Sequence, residues 1–428
     1  MRDAEQTVKV SFAEGWDLAS RTVVHPLSPA AAEARDRVGK PYVMVHRLEG
    51  RTSPVEVHLV AWGESHVGAW AYDDQGRRTR EADWRLLEPG RLFLRRLGAW
   101  RYDTEEQTEF APDAGRTYMD LLPGGKGRKV SEPKGVRGPS RHTPANIPEE
   151  NRWHDRSGFG VCGVRQLLLS KPLPPGQQPD FVDATASETE AWCVDRVTDG
   201  RPSLWVPPRP ARPAHLKELF EPGTRIATSF EPEMTVSAIR NIAALRVPSG
   251  RLVVQDPLTK GHGARRELSE RIPPGDYLMQ AAVVAYESQY EDERFPVEEE
   301  VAVRLLLGEE PVGSWELALT EEDDLRLLRE DEIFGFDTDC AAGSFADASG
   351  WDVLADKYRR YLKDQEDDAG ESISDGYIRT TDEATDSDLV SFYTGGDGMY
   401  PVWLGRASTG KPVCVTVLIG YLPDLRLL

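Results

Sequence analysis

The stretch that decides the fold class of the first domain is Val55-Glu56-Val57-His58-Leu59-Val60-Ala61-Trp62, followed by Val67-Gly68-Ala69-Trp70-Ala71-Tyr72. Apolar and polar residues alternate in short runs here, which is typical of β-strands. The aspartates and glycine of residues 73–78 then favour a tight reversal, because glycine adopts the positive φ that other residues resist. We therefore predict a strand-rich N-terminal domain over residues 1–160.

The region from residue 220 to the end mixes predicted strands with a helix. Apolar runs predict strands at residues 251–254, 277–286, 301–307 and 412–418. Residues 349–365 repeat apolar side chains at helical spacing, which predicts an amphipathic helix. We therefore predict an α+β fold, whose C-terminal domain over residues 220–428 is mixed, mostly antiparallel β with at least one helix.

Breaker residues and charge runs interrupt these elements at three places. Residues 122–146 are rich in glycine, proline and basic residues and predict a loop. Prolines crowd residues 171–213, so we place the connection between the domains at residues 161–219. Residues 363–388 carry ten acids, two bases and few apolar side chains, which indicates a solvated or disordered insertion.

The charge balance narrows the range of partners. The 428 residues include 52 Lys and Arg against 72 Asp and Glu, a net charge of −20. Residues 1–160 are nearly neutral, so the acidic excess lies in the C-terminal part. A surface of that sign repels nucleic acid and anionic membranes, and it favours a basic protein partner. The oligomeric state stays open.

Cysteine usage and the N-terminus indicate a cytoplasmic location. The four cysteines, Cys162, Cys193, Cys340 and Cys414, are far apart and form no CxxC pair. This pattern favours reduced thiols over disulfides or structural zinc. Residues 1–6 show no signal-peptide pattern, and no apolar run approaches the ~18 residues that a membrane-spanning helix needs.

Five short blocks in the C-terminal region carry a resemblance to a known family. They are residues 247–251 (VPSGR) with Asp256-Pro257, 272–277 (IPPGDY), 334–336 (FGF) leading into Asp339, 343–347 (GSFAD) and 395–403 (GGDGMYPVW). In this order they resemble a bacterial family known only as a domain of unknown function, number 4241. The resemblance implies no established chemistry and no cofactor. The N-terminal domain resembles an uncharacterised actinobacterial companion of that region.

The chain departs from the family at Ala341, where the family tends to have glycine. A tight backbone turn at this position is therefore not expected, because residues with a Cβ resist positive φ. The same alanine disfavours a phosphatase of the haloacid type, which wants Thr or Val there.

Paired carboxylates are the clearest candidates for metal binding or catalysis. Asp337 and Asp339 follow an apolar run, where they can hold a divalent metal or share acid and base roles. With Asp347 and Asp397 they would form the carboxylate cluster of a metal-dependent hydrolase. The spacing is common, and a turn or capping role for these aspartates is the alternative.

A pocket is a further possibility near the last family block. The block joins a glycine-rich turn to an acid and two large aromatic residues, and packing of Trp403 in the core is equally open. The candidate pocket residues are Asp339, Ser344, Asp347, Asp397, Tyr400 and Trp403.

No catalytic residue is assigned. Ser344 lacks the Gly-x-Ser-x-Gly pattern of hydrolases, and neighbouring acids make Cys340 a poor thiolate. Residues 405–412 match a phosphate-binding P-loop except at the last position, where Pro412 predicts a hairpin turn instead.

Three functions remain as hypotheses. The leading one is a non-enzymatic protein-binding module, like an immunity protein or antitoxin, that uses the acidic C-terminal surface. The second is the metal-dependent hydrolase around Asp337 and Asp339. The third is a small-molecule or carbohydrate sensor built on the tryptophans of the first domain, Trp62, Trp70, Trp84 and Trp100.

Overall fold

The computed structural model divides the chain into two compact units, Met1–Pro208 and Arg209–Leu428, here called the N-terminal and C-terminal units. It describes residues 8–48, 51, 53–156, 158–160, 180–183, 185, 207–213, 215–231, 233–259, 265–290, 293–364, 369–420, 422 and 424–428. Within these ranges no helix is both long and apolar enough to cross a membrane. Cys340 and Cys414 are free thiols, while Cys162 and Cys193 lie outside the described residues.

The N-terminal unit is built around one 12-stranded sheet. Its strands are β1 Val8–Asp17, β2 Thr22–Leu27, β3 Tyr42–Leu48, β4 Glu56–Ala61, β5 His66–Tyr72, β6 Arg78–Glu88, β7 Arg91–Arg101, β8 Gly115–Leu121, β9 Gly127–Glu132, β10 Arg141–Pro144, β11 Trp153–Asp155 and β12 Asp180–Phe181. The order is β10-β9-β8-β7-β6-β5-β4-β3-β1-β12, with β2 on β1 and β11 on β7. Among its described residues the unit also contains helices α1 (Pro29–Arg37) and α2 (Glu149–Arg152).

The strand-rich N-terminal domain is thus confirmed, with two differences from the sequence analysis. Part of the expected basic loop is strand, because β9 pairs with β8 over its whole length and β10 returns along β9. Also, β12 lies inside the expected connection and pairs in parallel with β1, so that part of the connection belongs to the sheet.

The described residues of the C-terminal unit form two sheets and one α-helix, α3 (Trp351–Asp364). Its strands are β13 Arg225–Ala227, β14 Met234–Val247, β15 Arg251–Val254, β16 Glu267–Arg271, β17 Gly275–Tyr290, β18 Glu293–Leu306, β19 Ser314–Leu317, β20 Gly335–Thr338, β21 Ala342–Asp347, β22 Glu371–Ser374, β23 Tyr377–Asp382, β24 Ser387–Tyr393, β25 Gly398–Arg406, β26 Pro412–Leu418 and β27 Arg426–Leu427. The nine-stranded sheet runs β19-β25-β26-β18-β17-β14-β13-β27 with β20 on β25, and the six-stranded sheet runs β16-β15-β21-β24-β23-β22.

An apolar core lies between these two sheets. Leu252 and Phe345 of the six-stranded sheet share one buried cluster with Met279, Val303 and Val415 of the nine-stranded sheet. On its other side the six-stranded sheet is covered by α3, which buries Trp351, Leu354 and Tyr358 in a second cluster. The predicted α+β fold with mostly antiparallel sheets is confirmed.

The acidic stretch at residues 363–388 differs from the sequence analysis. Its described part is not an insertion: residues 363–364 end α3, and residues 369–388 contain β22, β23 and the first two residues of β24. Tyr377 and Ile378 supply the apolar anchors, since both are buried. Arg246 pairs with Asp386 and Asp388, so part of the acidic charge is matched from another strand.

The β17–β18 hairpin projects beyond its neighbours. Pairing of β14 with β17 ends at Ala285, and pairing of β26 with β18 ends at Ala302. Residues 286–290 and 293–299, here called the arm, therefore have no third strand among the described residues. Four glutamates of the arm are exposed, namely Glu287, Glu293, Glu298 and Glu299.

Candidate functional site

A cavity of about 800 Å³ opens in the C-terminal unit. The six-stranded sheet lines it with β15, β16 and the residues before β16, and the nine-stranded sheet lines it with β20, the start of β25 and the segment after β19. Gly335 lets β20 approach β25 closely, because a Cβ at this position would collide with the carbonyl oxygen of Tyr400. Four arginines and six acids line the cavity, so charged side chains dominate it.

Three arginines converge on one carboxylate in this cavity. Glu267 accepts hydrogen bonds from Arg251 Nε and Nη2 at 2.7 Å each, from Arg265 Nη2 at 2.5 Å and from Arg271 Nη1 at 2.8 Å. These bonds, above all the bond from Arg251, lower the pKa of Glu267 to about 2. Arg251, Arg265 and Arg271, here called the arginine wall, therefore face an ionised Glu267 at neutral pH.

The fourth arginine, Arg266, is buried with 9% of its surface exposed. Its Nη1 donates to Asp323 at 3.0 Å and its Nη2 to the carbonyl oxygen of Ala318 at 2.9 Å. Its Nε is buried and has no hydrogen-bond acceptor in the described part of the chain. Burial lowers the pKa of Arg266, and the Asp323 carboxylate opposes that shift.

The remaining acids of the cavity form no hydrogen bond or ion pair within the described part of the chain, although the charge of Glu321 acts on Arg251 and that of Asp337 on Arg266. Glu321, Glu322, Asp337 and Asp339, here called the acid wall, are exposed side chains that make no hydrogen bond or ion pair with any described residue. Asp337 and Asp339 extend from the end of β20, and Glu321 and Glu322 from the segment after β19. The cavity thus combines arginines that already have acidic partners with carboxylates that have none.

Asp256 and Thr338 shape the turn that carries Asp339. Thr338 donates its hydroxyl to Asp256 at 2.8 Å and accepts from the backbone N–H groups of Cys340 and Ala342. Burial raises the pKa of Asp256. Ala341 has φ 49°, so the tight turn that was not expected there does form, with an alanine in the left-handed region.

The other candidate residues lie outside the lining of the cavity. Ser344 is fully buried and donates to the carbonyl oxygen of Gln255 at 2.7 Å. Asp347, also fully buried, accepts from Ser249 at 2.7 Å through one oxygen and from the Ser349 N–H at 2.6 Å through the other. Both oxygens of Asp347 are therefore engaged, and the hydroxyl proton of Ser344 is donated to the backbone.

The last family block lines the cavity through residues other than those expected from it. Asp397 accepts from the N–H of Ala341 at 3.2 Å. Tyr400 stacks on Phe336 with ring centroids 5.8 Å apart, and Trp403 is 3% exposed in a core cluster. Instead, the neighbouring Gly398 and Met399 line the cavity.

The metal and sensor hypotheses receive little geometric support. No three His, Cys, Asp or Glu side chains in the described ranges are grouped to hold a metal ion. Trp70 and Trp84 are buried, while Trp62 and Trp100 are half-buried. Arg156 lies over the Trp62 ring at 4.1 Å, so this face already has a partner.

Sequence reasoning missed the arginine wall, Arg266 and half of the acid wall. Arg251 lies in the first family block, which was one available signal. Arg265, Arg266 and Glu267 form a charged run directly before a strand, which gives no hint that a cavity lies beside it. Likewise, Glu321 and Glu322 look like ordinary surface acids.

The C-terminal unit is therefore a mostly antiparallel α+β domain with a charged cavity at the border of two sheets. Residues 245–417 match the family described as "Protein of unknown function (DUF4241)", which confirms the resemblance for this part of the chain. Three of the five blocks that carry the resemblance contribute to the lining of the cavity, through Arg251, residues 335–339 and residues 398–399. No curated protein and no solved structure matches the chain.

Proposed function

We propose that the C-terminal unit is a protein-binding module and that its cavity receives a basic side chain of the partner. The observation that carries this proposal is the acid wall, four carboxylates that share one cavity and have no partner within the described chain. A lysine or arginine entering the cavity would supply the missing partner. Binding of this kind fits an immunity protein or antitoxin acting in the cytoplasm against a basic target.

The charge of the chain supports this direction of recognition. The net charge of −20 attracts a basic protein over long range and speeds encounter. The acid wall then provides a specific binding site, because ion pairs inside a recess are screened less by salt than pairs on an open surface. The arginines offset only part of this charge, since four arginines face six acids in the cavity and the acids that they bind directly are Glu267 and Asp323.

The test is a titration of the full-length chain with a short fluorescent peptide of lysine and glycine, followed by anisotropy at low ionic strength. The cavity variant Glu321→Gln/Glu322→Gln/Asp337→Asn/Asp339→Asn should weaken binding by about tenfold or more, because several ion pairs are lost together. The matched control is the arm variant Glu287→Gln/Glu293→Gln/Glu298→Gln/Glu299→Gln. It removes the same number of charges from exposed positions outside the cavity.

The two variants separate specific from general attraction. The proposal requires that the cavity variant lose more affinity than the arm variant. Equal losses would mean that the peptide follows net charge alone. A larger loss in the arm variant would move the binding surface to the arm and refute the role of the cavity.

A metal-dependent hydrolase is the second candidate, because Asp337 and Asp339 lie in the same wall of the cavity. Its test is a thermal-unfolding titration with Mg²⁺, Mn²⁺, Ca²⁺ and Zn²⁺, since an ion that binds only the native state raises the midpoint. A saturable shift that disappears in Asp339→Asn would favour this candidate over the binding module. The absence of any shift would count against it.

A further inference from the structure

The arginine wall holds more positive charge than its one carboxylate can balance. Three guanidinium groups share Glu267, which stays ionised at neutral pH. Arg271 and Arg251 are also well exposed, with 52% and 40% of their side-chain surface accessible. Some of their N–H groups therefore remain available to an acceptor that enters the cavity.

A second, independent observation points to the same missing acceptor. Arg266 is nine-tenths buried and lines the cavity, yet its Nε has no acceptor in the part of the chain that the structure describes. A buried donor without an acceptor is costly and rare in native proteins. A ligand carboxylate beside this guanidinium would remove that cost once a small side-chain rotation brings the closed-off Nε to the cavity surface.

We infer that the ligand carries a carboxylate as well as a cationic side chain, and that the cavity binds the C-terminal lysine or arginine of a partner chain. The inference rests on the proposed function and names its ligand. The carboxylate lies against Arg266 and the arginine wall, on the side of the six-stranded sheet. The basic side chain lies against the acid wall, on the side of β20. Free lysine and arginine carry the same charges and are the other source of this chemistry.

The chemistry favours a chain terminus over an internal basic residue. An internal lysine would pair with the acid wall but leave the Arg266 Nε and the exposed guanidinium groups with only neutral carbonyl oxygens. A terminal carboxylate offers two charged oxygens, which match the planar donor geometry of guanidinium. Both walls are then used by one residue of the partner.

The experiment compares two peptides with the same sequence and a C-terminal lysine, one with a free carboxylate and one amidated. The free peptide should bind the full-length chain about tenfold more tightly, because the amide loses charge-assisted hydrogen bonds. Arg271→Gln should shrink this ratio while leaving the affinity of the amidated peptide nearly unchanged. Arg271 is chosen because it is half-exposed, whereas substitution of the buried, ion-paired Arg266 endangers folding.

The control variant is Arg294→Gln, an exposed arginine of the arm outside the cavity, which should leave the ratio unchanged. Equal affinity of the two peptides for the parent chain would overturn the inference. If amidation has no effect but the cavity variant still loses binding, the inference fails and the proposed function stands. If the cavity variant binds both peptides as the parent does, the proposed function fails. Free lysine binding as tightly as the peptide would overturn recognition of a chain terminus.

Discussion

Ionisable side chains are placed differently in the two units of this chain. In the N-terminal unit several ionisable side chains are buried in the 12-stranded sheet and pair with each other there. Arg85, 2% exposed, donates to Asp83 at 2.8 Å. His58 Nε2 lies 2.5 Å from Glu56 Oε1, and both of these side chains are fully buried. The C-terminal unit also buries carboxylates that have partners, such as Asp347 and Asp388, but it differs in its cavity, where four carboxylates pair with no described residue. Paired, buried charges specify structure, whereas unpaired charges in a recess are available to a ligand.

The largest effect should come from breaking a buried pair of the N-terminal unit. Arg85→Ala should lower the free energy of unfolding by about 3–5 kcal/mol, because it leaves the Asp83 carboxylate without its guanidinium and opens a cavity. Chemical denaturation of the full-length chain measures this loss. Arg101→Ala, an exposed arginine of the same sheet, is the control and should change stability by under about 0.5 kcal/mol. If Arg85→Ala and Arg101→Ala lowered the unfolding free energy equally, the buried pairs of the N-terminal unit would have no special structural role.

Substitution of Glu267, which is paired at the edge of the cavity, should have an intermediate effect on the unfolding free energy. Glu267→Gln should destabilise the chain by about 1–2 kcal/mol at neutral pH, since the flanking arginines are partly exposed and screened by solvent. Its pKa of about 2 lies below the ordinary 4.5, so its contribution is present above pH 4.5 and is lost as the pH falls towards 2.

Denaturation of the parent chain and Glu267→Gln at several pH values checks this prediction. The difference in unfolding free energy should narrow as the pH falls from about 5 to about 2. A difference that stays constant over this range would mean that the carboxylate is not held ionised by the arginine wall.

A smaller effect on the unfolding free energy is expected at Ala341, where the chain has alanine and the family tends to have glycine. Ala341 adopts φ 49°, and glycine should relieve this strain at some cost in the entropy of the unfolded chain. Ala341→Gly should therefore raise the unfolding free energy by about 0.5 kcal/mol. The neighbouring Ala342 is buried in β21, so Ala342→Gly should be destabilising. The prediction is contradicted if both glycines change stability in the same direction.

The smallest effect on stability should come from the acid wall itself. Its four carboxylates have no partner in the described chain, so neutralising them should change the unfolding free energy by no more than about 0.5 kcal/mol. Because the substitutions relieve repulsion between the carboxylates, we expect this change to be a small increase in stability. Thermal unfolding of the cavity variant without peptide measures this. A clear loss of stability would show that these acids have a structural role.

Local patterns in the sequence predicted most of the fold. The strand at 412–418, its hairpin turn from β25 and the helix near 349–365 follow from side-chain periodicity and turn residues. The strands at 371–382 escaped prediction because they lie within residues 363–388, where ten acids outnumber the few apolar side chains. Those apolar side chains stabilise the strands only through burial against other strands. Charge density alone does not separate a solvated segment from a sheet edge.

The site was predictable only in part. Asp337 and Asp339 stand out because they follow an apolar run, and both line the cavity. Asp347 and Ser344 carry the right chemistry, but their oxygens are taken by neighbouring backbone and hydroxyl groups, which sequence does not reveal. The arginine wall and the acid wall meet through pairing of distant strands, so no local pattern could join them.

The most direct test of the acid wall is zero-length cross-linking. A carbodiimide joins an amine to a carboxylate only when the two groups touch, so a lysine peptide cross-linked to the full-length chain records which acids it contacts. The account predicts attachment at Glu321, Glu322, Asp337 or Asp339 when the products are mapped by mass spectrometry. Attachment at the arm glutamates or spread evenly over the surface, with the acid wall unmodified, would contradict it.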